Sequence, residues 1–339
     1  MARSNSKSAR HQHVSLYEAT AGLVTTLEPQ RLTPGGAEGP MELAEAMNIA
    51  IDERGLAEMR HGDMTMARGR FHSLFCDGGD CFVIQERDGD AAIMRWTNDH
   101  GLMGVRSGLS QNRPMGWRRI NQDTFYGNGI ECGYIRDGVS HPWPVGEYRG
   151  PDADAVFEPM PAPNLIGFRP GGQMIIAKDN AIFINHQPFQ FGFYNPAGGY
   201  IGFEGNVTLL ADARDGFFAS DGLRTWFFRK LDSGWYHYRQ EIVDHHPALP
   251  GTLAHDRVAL RDLGLENVEG FGRIWASTEG IVLGMDNGGV MQLTEERVRY
   301  PGDKTGGACL VKNGIVLHTA WPFDGDDAEP LRHDRADTL

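Results

Sequence analysis

A chain of 339 residues with 44 glycines, 40% hydrophobic residues and a net charge of −13 is long enough to bury a large core and rich in positions that suit turns. The balance of 45 acidic against 32 basic side chains argues against nonspecific affinity for phosphate backbones, which depends on clustered Lys and Arg. Apolar runs are too short for a membrane-spanning helix, and the start, MARSNSKSARHQH, lacks the apolar segment of a signal peptide, so the chain is expected to be made in the cytoplasm without membrane insertion.

Residues 1–40 read as an extended N-terminal arm, polar and broken by Pro29, Pro34, Gly35, Gly36, Gly39 and Pro40, with one amphipathic piece, SLYEATAGLVTTL. Such a segment cannot build a core alone. It leads into MELAEAMNIAIDERGLAEMRHG, read as one helical turn at Glu42 to Met47 and then a hairpin, Asn48 to Met59, turning at Glu53 to Gly55.

From Phe71 one plan repeats: an apolar or alternating run, a turn of Asp, Asn and Gly, a second run, and usually a third. FHSLFCDGGDCFVIQERDGDAAIMRW gives three strands, and GWRRINQDTFYGNGIECGYIRDGVSHPW starts the next unit. GGQMIIAKDNAIFINHQPFQFGFY turns at Lys178 to Asn180. VTLLADARDGFFASDGLRTWFFRKLDSGWYHYRQ turns at Arg214 to Gly216, Asp221 to Gly222 and Asp232 to Gly234. GRIWASTEGIVLGMDNGGVMQLTEE follows, and GACLVKNGIVLHTAW closes the series as a hairpin around Lys312 to Gly314.

Units recur at roughly 40 to 50 residues, the period of propeller blades, because one small twisted sheet has two apolar faces and stacking around an axis buries both. The series is stretched once, by an insertion at residues 242–270, where Ala254 to Leu263 reads as a helix. The expected fold is all-β: a β-propeller over residues 41–323 with about six blades, five being the alternative. The last two strands and the hairpin at Asn48 to Met59 would complete one blade from both chain ends and leave no free edge. Residues 324–339 read as a flexible acidic tail.

The candidate chemistry is sparse. Cys76 and Cys81 flank the turn of CDGGDC and face each other if the strands pair, while Cys132 and Cys309 stand in separate units. Four cysteines so scattered are too few for a disulfide framework in a chain this long and supply no second C-x-x-C for zinc, so all four are expected as free thiols, with no metal and no cofactor. His11 and His13 lie in the arm, and His245 and His246 follow Asp244 in the stretched region, outside any HExxH pattern. YGNGIECGY is glycine-rich but precedes no helix, so it reads as a blade turn rather than a phosphate cradle. The aromatics of TWFFRKLDSGWYHY and PFQFGFY are expected to pack between blades, with stacking on sugar rings as the alternative.

Two resemblances follow from particular residues. FFASDGLRTWFFRK, residues 217–230, is similar to the Asp-box of sialidase-type propellers at Asp221, Gly222, Thr225 and Trp226, while Ala219 and Leu223 stand where Ser and a second Gly would be. Even a full copy of that motif is structural, since the Asp caps its own turn and the Trp packs between sheets. Separately, Ala19 to Gly62 resembles tailed-bacteriophage virion proteins of the propeller type, on Glu42, Leu43, Ala46, Asn48, Asp52, Gly55, Arg60 and Gly62.

That second resemblance implies a non-enzymatic nozzle-like or neck ring of a phage tail, located in the virion. Its partners would be further copies of the chain and neighbouring tail or portal-side proteins. Genomic DNA would pass transiently through the ring without sequence recognition, and an acidic wall would let it slide. The arm and the stretch at residues 242–270 are the expected contacts. The alternatives are a propeller that binds a host-surface glycan and, further off, a sialidase-like glycoside hydrolase with Arg and carboxylate side chains converging on the axis.

Overall fold

A computed structural model describes residues 67–77, 79–144, 156–255, 257–263, 265 and 269–294, with the backbone of the strands outside these ranges. The chain forms two compact units, one of residues 1–64 with 296–298 and one of the remainder. In the first, β1 (Thr20–Leu23) pairs in parallel with β2 (Met41–Leu43), and β3 (Ile49–Ile51) pairs antiparallel with β4 (Ala57–Met59). The expected hairpin at Asn48 to Met59 is present as β3 and β4. Of the helical turn expected at Glu42 to Met47, Glu42 and Leu43 instead continue a strand, and residues 44–47 lie outside the described residues.

The second unit is built from five successive sheets. Blade 1 is β5 (Arg70–Asp77), β6 (Asp80–Glu86), β7 (Ala91–Thr97) and β8 (Gly101–Leu109), and blade 2 is β9 (Gly116–Ile120), β10 (Asp123–Gly127), β11 (Cys132–Arg136) and β12 (Val139–Pro142). Blade 3 has six strands: β13 (Glu158–Pro159), β14 (Leu165–Arg169), β15 (Gln173–Lys178), β16 (Ala181–Gln187), β17 (Gln190–Tyr194) and β18 (Tyr200–Gly202). Blade 4 is β19 (Leu209–Asp212), β20 (Gly216–Ser220), β21 (Thr225–Lys230) and β22 (Tyr238–Asp244). Blade 5 is β23 (Val258–Ala259), β24 (Phe271–Ser277), β25 (Gly280–Met285) and β26 (Val290–Gln292). A two-stranded sheet of β27 (Thr305–Val311) and β28 (Ile315–Trp321) follows.

Five antiparallel blades in chain order make the unit a β-propeller. Five was the alternative count. The sixth blade expected from the hairpin at Asn48 to Met59 and the last hairpin falls across the two units, and each of those hairpins is a two-stranded sheet of its own.

The apolar code shows why these runs become strands. In β15 and β20 every residue but Lys178 is buried, the mark of a strand covered on both faces. Alternate side chains then serve opposite neighbours: Ile175 and Phe217 join the core between blades 3 and 4, Ile176 the core between blades 2 and 3, and Phe218 the core between blades 4 and 5. Full burial of each such side chain is worth about 1.5 to 3 kcal/mol. Blades 2 and 3 approach so closely that a Cβ on Gly116 would lie 2.3 Å from the Asn164 carbonyl oxygen, so no larger residue fits there without moving the backbone.

Among the described residues of the stretch 242–270 there is no helix of the expected length. Val258 and Ala259 pair with Gly272 and Phe271 as the first strand of blade 5, and one 3-10 turn, Leu260–Leu263, follows. Ahead of them Ala248, Leu249, Thr252 and Ala254 are buried. The Ala248 amide donates to Ser220 Oγ at 3.0 Å and the Leu249 amide to the Ala276 carbonyl at 2.8 Å. Helix propensity yields here to strand pairing and to a connector that ties blade 4 to blade 5.

Candidate functional site

The inner strands bring charged side chains from separate blades to one place. β14 lies beside β9 on one side and β19 on the other. Arg118 of β9 reaches past β14, where its Nη2 donates to the Phe168 carbonyl at 3.4 Å, to pair with Asp212 of β19 at 2.9 Å. Arg273 of β24 places its Nη2 2.9 Å from both Asp212 oxygens and donates Nη1 to the His255 carbonyl. The His255 ring stands edge-on to Phe75 of β5 with centroids 5.0 Å apart. Side chains from blades 1, 2, 4 and 5 can meet in this way only at the axis.

The electrostatics follow from that packing. Burial pushes the Asp212 carboxyl up, but attraction from Arg118 and Arg273 wins and holds it below the ordinary carboxylate range. Burial lowers His255, and repulsion from Arg118 and Arg273 adds to it, bringing the imidazole down to about 4. At neutral pH the cluster therefore contains two guanidiniums, one carboxylate and a neutral imidazole. With both its oxygens held by arginines and its pKa lowered, Asp212 is poorly suited to take up a proton from a substrate.

A second buried cation lies toward blade 4. Arg169 donates to the carbonyls of Gly216 at 2.9 Å and Arg214 at 3.1 Å, to Gln173 Oε1 at 2.8 Å and to the Tyr238 hydroxyl at 3.2 Å. Burial raises the Tyr238 phenol to about 12, so the group stays neutral beside the guanidinium. Burial, and then Arg169, lowers the nearby Lys230 ammonium.

The Asp-box-like turn behaves as its chemistry requires. Asp221 Oδ1 accepts from the amides of Leu223 and Arg224, each at 3.1 Å, and Gly222 takes φ of 80°. Thr225 is buried and donates to the His246 carbonyl at 3.1 Å, while Trp226 packs on the core between blades 3 and 4 under the Arg224 guanidinium. The four residues form a hairpin cap and a packing contact, away from Asp212.

One further expectation changes. Cys76 and Cys81 are not free thiols: they are directly paired residues of β5 and β6 with Cα atoms 4.1 Å apart, and they form a disulfide. The strand pairing that CDGGDC implies brings the two sulfurs together, and the difference from the expectation is that they are oxidised. Their bridge borders a cleft of about 640 Å³ whose Asp80 carboxylate is held by Arg95 at 2.6 Å and Arg119 at 3.6 Å. Cys132 is a free, part-buried thiol, raised by burial, and the side chain of Cys309 lies outside the described residues.

His246 pairs with Asp244 at 3.0 Å, and His11 and His13 lie outside the described residues. Among those residues no group of three or more His, Cys, Asp or Glu side chains converges to hold a metal, and no helix is long and apolar enough to cross a membrane. Of the residues that carry the resemblance to phage propeller proteins, Glu42 and Leu43 sit in β2 opposite Gly22 and Leu23. Ala50 and Glu58 pair across the neighbouring hairpin, but Ala46, Asn48, Asp52, Gly55, Arg60 and Gly62 lie outside the described residues.

No family model and no curated protein matches the chain. Among solved structures it is similar to a gluconolactonase from Xanthomonas campestris, at 12% identity over 71% of this chain and 80% of that one with a TM-score of 0.42. It is similar as well to a putative gluconolactonase, at 15% identity over 72% and 82% with a TM-score of 0.40. Kluyveromyces lactis Hsv2 matches at 12% identity over 78% and 76%, again with a TM-score of 0.40. The class defined here is the β-propeller, and the sheet topology defines it.

Proposed function

We propose that the chain is a non-enzymatic structural protein of a tailed-phage virion, a propeller that takes part in a ring of the tail or neck. The observation that carries the non-enzymatic half is the axial cluster. There arginine and carboxylate side chains from blades 2, 4 and 5 converge on a group that is closed on itself, because Asp212 occupies both Arg118 and Arg273. An arginine pair already holding an internal carboxylate ties blades together instead of receiving a substrate's carboxylate.

The virion half draws its support from the resemblance at Glu42, Leu43, Ala46, Asn48, Asp52, Gly55, Arg60 and Gly62, and from the net charge of −13, which suits a wall along which DNA moves without sticking. A ring of identical chains needs a heterologous contact that closes. The arm, residues 1–40, is the segment proposed to make it, with neighbouring tail or portal-side proteins and transient genomic DNA as the other partners.

The test is the native mass of the full chain and of a chain lacking residues 1–38, followed by electron-microscope class averages. Closed rings from the full chain, lost with the arm, support the reading. A full chain that stays monomeric at high concentration and turns over chromogenic glycosides would overturn it.

A further inference from the structure

Blade 3 is built unlike the others at its outer edge. β16 does not carry one outer strand: Ala181, Ile182 and Phe183 pair with Gly202, Ile201 and Tyr200 of β18, while Asn185 and Gln187 pair with Tyr194 and Gln190 of β17. Between these strands Asn-Pro-Ala-Gly-Gly, residues 195–199, folds back, with the Gly199 amide on the Asn195 carbonyl at 2.6 Å. A continuous outer strand would present side chains two residues apart to one side of the sheet. The divided edge instead brings Tyr194 and Tyr200 to the same phenylalanine.

Phe183 is the floor. Tyr200 lies alongside it with centroids 6.4 Å apart and planes at 29°, and is 52% exposed. Tyr194 meets Phe183 edge-on at 4.9 Å, and its hydroxyl donates to Glu158 Oε2 at 2.5 Å from the short strand β13. The hydrogen bond to Glu158, then burial and the Glu158 charge, raise the Tyr194 phenol to about 12, with a smaller push from Tyr200, so it remains a neutral donor. Glu158 itself is exposed.

We infer that this edge is a binding subsite for a neutral, β-linked oligosaccharide, stacked on Tyr200 and hydrogen-bonded to Glu158. A gluco-configured β-pyranose presents axial C–H groups on both faces and hydroxyls around its rim. Its face suits the exposed Tyr200 ring, and its rim hydroxyls suit a carboxylate that still has lone pairs to offer. A few placed polar groups beside an aromatic wall are what orient a small ligand. The Glu158 charge turns away acidic sugars, which separates this site from one for sialic acid or uronates.

The inference goes beyond the ring reading and does not depend on it. The experiment is saturation-transfer NMR and calorimetry on the full chain with cellohexaose and chitohexaose, and with oligogalacturonate as the acidic comparison. Saturation is expected on the neutral hexasaccharides and not on oligogalacturonate. Tyr200→Ala is expected to weaken binding about tenfold or more, and Glu158→Gln to weaken it less. Tyr200→Phe, which keeps the ring, should retain most of the affinity, as should Phe189→Ala at an exposed aromatic elsewhere on the blade.

No transfer to either neutral hexasaccharide, preference for oligogalacturonate, or binding unchanged in both Tyr200→Ala and Glu158→Gln would overturn the proposal. Should Tyr200→Ala fail to fold, Glu158→Gln and Tyr200→Phe decide the matter. Ring assembly is not read in this experiment, so failure here leaves that reading standing.

Discussion

The propeller axis and the outer edge of blade 3 use polar side chains in opposite ways. At the axis Asp212, Arg118 and Arg273 come from three blades, lie largely out of water and pair with one another. At the edge Glu158 and Tyr200 stand in solvent, and among the described residues only Tyr194 engages the Glu158 carboxylate. A buried ionic cluster fixes how blades sit, since each partner left alone would be a desolvated charge. An exposed aromatic beside a carboxylate fixes little in the fold and leaves its hydrogen-bonding capacity for something else.

Substitution tests that contrast, and the largest effect belongs to the axis. Asp212→Ala leaves two buried guanidiniums without their carboxylate and should cost about 3 to 5 kcal/mol in urea unfolding. Replacing Asp212, Arg118 and Arg273 together by apolar residues of similar volume should recover most of that loss, and a triple variant as unstable as the single one would show that the cluster does more than cancel itself.

Acid probes the same region with a smaller effect. His255 sits at about 4 in the folded chain against 6.5 ordinarily. As pH falls through that window the unfolded chain takes up a proton that the folded chain refuses, so stability is lost by about 2 kcal/mol, allowing for the ring's remaining contact with solvent. Asp212, lowered in the fold, contributes stability present above its ordinary pKa and adds a further loss below about 4. His255→Gln should flatten the slope between pH 6.5 and 4, measured as the urea midpoint against pH.

Away from the axis, Asp221→Ala removes the cap of two turn amides and should cost about 1 to 2 kcal/mol. Tyr200→Ala closes the series: at 52% exposure it should shift the unfolding free energy by less than about 1 kcal/mol while altering saccharide binding. A large loss of stability in Tyr200→Ala would erase the contrast between axis and edge.

The blades were readable because turn chemistry is local. Asp221 and Gly222 announce their hairpin within the chain segment that forms it, and the near-continuous apolar run of GFFAS marks a strand buried on both faces. The axial cluster was not readable, since Arg118 and Arg273 stand 94 and 61 residues from the Asp212 they bind and nothing in their flanks distinguishes them from surface charges. The disulfide was half readable: pairing of Cys76 with Cys81 follows from the hairpin, but the oxidation does not. The divided edge of blade 3 left one trace, the turn-forming NPAGG between two tyrosine-bearing runs, while the helix expected at Ala254 to Leu263 shows local propensity giving way to the pairing of Val258 and Ala259 with blade 5.

The break between β17 and β18 also bears on how the protein behaves when crowded. A long, flat, unpaired strand is a template on which any other chain can add a strand, and proteins that must stay dissolved blunt such rims. Blade 3 does so by interrupting its rim, blade 1 by register shifts along β8, blade 2 with Pro142 in β12, and blade 4 with Arg239 and Glu241 along β22. With four of its five rims roughened in different ways, the propeller offers few of the flat edges on which sheet-to-sheet polymerisation starts.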